Sequence, residues 1–147
     1  MSSGATLRRL PAVMLVTAAM LLIAGFGLWT PDLSRATLQA RYLEPSDRLV
    51  DVLGTEMRIR DTGPEDAPAI LMVHGFGSSL ETWDGWAGAL DRDFRVLRFD
   101  LPGSGLSAPD ASGDYSDERS IALILELMEQ LDIGRASLVG HSLGGRI

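Results

Sequence analysis

The sequence contains no cysteine. That removes disulfides, thiolate metal sites and a cysteine nucleophile from the chemistry open to it. Lysine is absent as well, all 13 basic residues being arginine. A phosphate-binding P-loop, whose lysine reaches the β and γ phosphates, is therefore excluded. Histidine is scarce, so any histidine-dependent mechanism has to be tested against His74 and His141. Positive charge is also short: beyond residue 30 there are 20 acidic groups against 11 arginines, a net charge of −9, and nucleic acid is not an expected partner.

What the chain does have is unevenly placed. Leu10 to Trp29 runs for twenty residues without a charge, about 30 Å of helix and enough to cross the hydrocarbon core of a bilayer. Arg8 and Arg9 precede it and Trp29 closes it at the level of an interface, the layout of a signal peptide or an uncleaved signal anchor. The run exceeds the usual apolar length of a removable signal, and Gly25-Phe26-Gly27 is a weak cleavage site. The reading is a cytoplasmic terminus at 1–9, a transmembrane anchor at 10–29, a linker or short helix at 30–46, and an exported domain over 47–147. Secretion after cleavage is the alternative.

Within that domain, Leu49 to Leu53 and Glu56 to Arg60 flank Gly54 and predict a hairpin, with Met57 and Ile59 alternating against Glu56, Arg58 and Arg60. Ala69 to Val73 is an unbroken apolar run, the pattern of a strand buried on both faces. A helix follows, with Trp83, Trp86, Ala87 and Leu90 on one face and Ser78 or Ser79 as its cap, so both tryptophans are expected in the core. Phe94 to Phe99 predicts another strand. A second helix starts behind Ser116 and ends at Gly134, with a stripe of Ile121, Ile124, Leu125, Met128 and Leu131. Ala136 to Val139 is the last strand. The order predicts an α/β fold, a mainly parallel sheet with flanking helices.

Gly140-His141-Ser142-Leu143-Gly144 fits the nucleophile-elbow pattern, a serine on a sharp turn from strand to helix with glycines where the turn is crowded. His74-Gly75-Phe76-Gly77 follows an earlier strand, where a loop can supply a backbone N–H to an oxyanion hole. Ser142 is thus the candidate nucleophile, and the N–H groups of Phe76 and Leu143 are the candidate oxyanion donors.

With these motifs and the Phe99-to-Ser107 segment FDLPGSGLS, the stretch from Leu49 to Ile147 resembles the amino-terminal part of an α/β-hydrolase of the lipase, esterase and carbon–carbon bond hydrolase group. The resemblance implies attack by Ser142 on an acyl carbonyl of a small-molecule or lipid-like substrate, with no cofactor and no metal. Epoxide hydrolases and haloalkane dehalogenases of this fold carry aspartate at the elbow, which Ser142 disfavours here. It also implies an acid and a histidine after the serine in chain order. Both are absent from this chain. His74, His141 and Asp100 read as structural, and the sequence reads as an inactive fragment of a longer serine hydrolase.

Two rivals stand beside this. Gly103 to Ala108 matches a dinucleotide-binding glycine pattern after a strand, but Pro109, Asp110, Ser112 and Gly113 prolong the loop where a helix is required. The other is a non-enzymatic, membrane-tethered pseudo-hydrolase. The acyl group, and the choice among ester, thioester, amide and carbon–carbon cleavage, stay open.

Overall fold

The computed structural model describes the backbone of residues 4–147 and the side chains from Val13 onward. It divides into two units, residues 1–34 and Arg35–Ile147. The first unit holds α1 (Gly4–Leu28), a continuous helix whose apolar side chains, from Val13 to Leu28, are exposed to solvent. Among the described residues no helix is long and apolar enough to cross a membrane. The start of the expected span and the flanking Arg8 and Arg9 lie outside the described side chains.

The second unit begins with α2 (Arg35–Tyr42), inside the stretch assigned to a linker, so the compact unit starts at Arg35 rather than at 47. Gln39 donates to Glu56 at 3.2 Å, and Arg35 pairs with the same carboxylate. The hairpin forms from β1 (Asp47–Val52) and β2 (Thr55–Thr62), paired antiparallel with Val52 opposite Thr55. Leu53 and Gly54 make the two-residue turn with φ of 50° and 82°, the positive values that match the twist of a hairpin.

β3 (Ala69–Val73), β4 (Arg95–Phe99) and β5 (Ala136–Gly140) complete a five-stranded sheet in the order β1-β2-β4-β3-β5. β3 runs parallel to β4 and β5, whereas β1 with β2 and β2 with β4 are antiparallel. The sheet is therefore mixed, with β1, β3, β4 and β5 sharing one direction and β2 alone opposing them. A tight turn reverses the chain between β1 and β2, so both cannot follow the direction of the crossover-connected strands.

One sheet face packs Met57, Ile59, Leu71, Val73, Leu97 and Phe99 against α4 (Asp117–Gln130). Ser116 caps α4, its Oγ accepting from the Arg119 N–H at 3.2 Å. The buried stripe of α4 is Leu123, Ile124 and Leu127, with Leu131 just beyond the helix, while Ile121 and Leu125 are exposed. The predicted stripe is thus rotated toward the next face, where Ile121, Leu125 and Met128 border a groove beside Leu138 of β5. The opposite sheet face packs Met72 and Val96 against Trp83 and Ala87, from a 3-10 turn (Leu80–Trp83) and α3 (Asp84–Leu90). Trp86 is 65% exposed and does not join the core. The switch from 3-10 to α geometry after Trp83 breaks the single 3.6-residue period on which its placement rested.

Candidate active site

Strand register brings the site together. Phe99, Val73 and Gly140 lie side by side across β4, β3 and β5, so Asp100, His74 and His141 leave the sheet together at the carboxyl ends of its parallel strands. This is the edge of an α/β sheet where ligands bind.

After Gly140 the chain turns sharply into a 3-10 turn at Ser142–Gly145. Ser142 sits at φ 53°, a left-handed conformation costing a non-glycine residue on the order of 1–2 kcal/mol. It is exposed. The turn is tight enough that a Cβ on Gly144 would lie 2.3 Å from the Val73 carbonyl oxygen. A Cβ on Gly140 would lie 2.1 Å from the carbonyl oxygen of Gly144. These two glycines are required by contact with backbone, which cannot move aside.

The loop after β3 faces this turn: a Cβ on Gly75 would come within 3.2 Å of the Ser142 Cβ. Phe76 follows, its side chain 91% exposed, and Gly77 takes φ 66°. Among the described residues, the loop and turn backbone hydrogen bonds take up neither the Phe76 N–H nor the Leu143 N–H. Both residues line one cavity of about 390 Å³, together with Leu101, Pro102, Tyr115 and Leu123.

The two ordered motifs are joined by buried polar groups. His74 is fully buried. Its Nε2 accepts from the Leu101 N–H at 2.9 Å, which leaves the proton on Nδ1, 2.8 Å from the Gly75 carbonyl oxygen to which it donates. With both nitrogens engaged, His74 has no lone pair to offer Ser142. Asp100 is equally buried; its carboxylate accepts from the Leu80 N–H at 2.7 Å and the Leu106 N–H at 2.9 Å. Burial pushes its carboxyl above the ordinary range, against the pull of those two amides and of Arg58. Ser107 fills the remaining gap, donating to the Asp100 carbonyl at 2.8 Å and accepting from the Arg58 N–H at 2.8 Å. Asp100 is thus committed to holding loops, as is His74.

The alternation in β2 implied outward-facing arginines, and there the structure differs. The Arg58 side chain is 2% exposed, lying 2.6 Å from both Asp47 and Glu81 and 3.5 Å from Asp100. Arg60 pairs with Asp47 at 2.6 Å, and Asp84 receives Arg60 and Arg98. Glu81 and Asp84 come from the segment that lies over this sheet face, so the arginines are roofed. No local pattern reveals it, because the acids come from three separate stretches of chain. Gly103 and Gly105 turn the loop after β4 with φ of 75° and 51°, and no helix begins there until Asp117. Among the described residues no group of three or more His, Asp or Glu side chains is placed to hold a metal.

Comparison with known proteins agrees with this architecture. Residues 68–147, more than half of the chain, match the family model described as alpha/beta hydrolase fold. The chain belongs to the α/β-hydrolase family. It is similar to the dihydrolipoyllysine-residue acetyltransferase component of the acetoin cleaving system of Pseudomonas putida, 38% identical over 70% of this chain and 28% of that protein. It is also similar to a putative carbamate hydrolase of Pseudomonas savastanoi, 38% identical over 56% of this chain and 32% of that one. Among solved structures, the enol-lactonase of Burkholderia xenovorans aligns with TM-score 0.62 and 37% identity, covering 67% of this chain and 38% of that chain. An epoxide hydrolase of Vigna radiata aligns with TM-score 0.62 and 30% identity, over 68% and 32%. The chain spans about a third of the length of these relatives.

Proposed function

We propose that the protein carrying this chain is a membrane-anchored serine hydrolase that works through an acyl-enzyme on an ester-like carbonyl substrate. The carrying observation is the backbone of Ser142, held left-handed and exposed between two glycines that no other residue can replace. The Ser142 Oγ attacks the acyl carbon and its proton passes to a base. The carbonyl oxygen, now anionic, rests on the Phe76 and Leu143 N–H groups. The leaving group departs with the proton, and water then releases the acid and restores the serine.

Neither His74 nor Asp100 supplies the base or its acid, since both are committed to backbone partners. Serine at the elbow disfavours epoxide hydrolysis, for which enzymes of this fold carry aspartate at that position. The anchor is the segment 10–29: α1 runs unbroken through it as far as Leu28 and presents Leu22 and Phe26 at 75% and 77% exposure. With Arg8 and Arg9 kept cytoplasmic, the catalytic unit is exported.

In the intact protein, a fluorophosphonate should label Ser142, and a short-chain aryl ester should be turned over. Ser142→Ala should abolish both. Residues 1–147 alone should show neither turnover nor a kinetic role for His141. Labelling that survives Ser142→Ala would remove the assignment, and an unlabelled, inactive wild type would favour a non-enzymatic, membrane-tethered role.

A further inference from the structure

The loop that carries the Phe76 N–H is fastened at both ends, each time to the loop after β4. At its start, the His74 imidazole accepts from the Leu101 N–H at 2.9 Å. At its end, the Leu80 N–H donates to the Asp100 carboxylate at 2.7 Å. The two fastenings are reciprocal: His74 and Asp100 occupy matching positions, one residue past adjacent parallel strands, and each side chain binds backbone of the other's loop. Between them Phe76 and Gly77 are exposed, and neither amide joins a backbone bond in the loops. The segment that must present a donor to a developing charge therefore gains its position from its two ends. Arg58 steadies the second end, contacting Asp100 and also Glu81, one residue beyond Leu80.

We propose that His74 and Asp100 are positioning residues that fix the Phe76 N–H for transition-state stabilisation. This rests on the serine-hydrolase reading above. The neutral His74 ring acts as an acceptor and moves no proton. Its loss frees the start of the loop without touching Ser142, and the penalty falls on the tetrahedral state, where the oxyanion needs both donors, more than on substrate binding.

The test is made on the intact protein, with the labelled Ser142 fraction counting competent sites. His74→Leu should lower kcat for the aryl ester by about tenfold to a hundredfold, the range short of losing one oxyanion donor outright. KM should stay within about twofold, and inhibition by an alkylboronic acid should weaken in step with kcat. His74→Gln, whose Oε1 can accept the Leu101 N–H, should restore most of kcat. If His74→Leu fails to fold, Asp100→Asn is the second probe: it turns an N–H₂ group toward one of two N–H donors, and kcat should fall several-fold at constant KM. Wild-type kcat in these variants would overturn the proposal, as would a joint loss of kcat, KM and stability that glutamine does not rescue. A wild type without Ser142-dependent turnover would instead remove the serine-hydrolase reading itself.

Discussion

Ser142 occupies a conformation that glycine adopts freely, and its side chain is retained at that cost. Ser142→Gly should therefore be more stable than Ser142→Ala by about 1 kcal/mol, the left-handed penalty that alanine keeps and glycine escapes. Paired denaturant titrations would measure it; equal midpoints would show that the turn is not strained. A second residue-scale expectation concerns Asp110. Burial works to raise its carboxyl, but hydrogen bonds from Ser112 and Arg119 outweigh burial and hold the pKa at about 2. A depressed carboxylate stabilises the fold above its unfolded pKa and loses that contribution as pH falls. Wild type should thus lose an increment of stability between about pH 4 and pH 2 that Asp110→Asn does not lose. The turns that carry Ser142, Phe76 and Leu143 could be placed from the sequence because the glycines beside them answer to short-range crowding. Arg58 could not, because burial of a charge depends on partners assembled from Asp47, Glu81 and Asp100.

Whole elements were legible where their cause was local. β3 is buried on both faces, as its apolar run requires, and α4 starts at the capping Ser116. Orientation around a helix axis was less legible. In α4 the two neighbouring stripes are both apolar, and only the position of the sheet selects Leu123, Ile124 and Leu127. In the segment after the loop that follows β3, a change of helical pitch separates Trp83 from Trp86. Trp83→Ala should cost about 3–5 kcal/mol, and Trp86→Ala within about 0.5 kcal/mol of nothing, if thermal or denaturant unfolding is compared across the pair. Similar losses at both positions would mean that Trp86 is covered in the intact protein. Strand direction was legible because Gly54 marks a hairpin and helix-length connections mark crossovers, whereas the pairing of β2 with β4 was not, since it depends on which strands become neighbours in space.

At the scale of the whole molecule, the amino-terminal unit should determine location. The intact protein should remain with membranes through alkaline carbonate extraction, and a form starting at residue 30 should not; recovery of both in the soluble fraction would exclude the anchor. The sheet order carries one more consequence. β3 and β5 are neighbours in space although more than sixty residues separate them in the chain, and the serine turn hangs on that pairing through the His141 N–H to Val73 bond of 3.0 Å. Closing so long a loop is slow relative to forming the β1–β2 hairpin. As the polypeptide refolds, early secondary structure should therefore appear well before Ser142 becomes reactive. A serine-directed label added at intervals would then act as a clock for the docking of β5, reporting molecules in which it has paired with β3 and passing over those in which it has not.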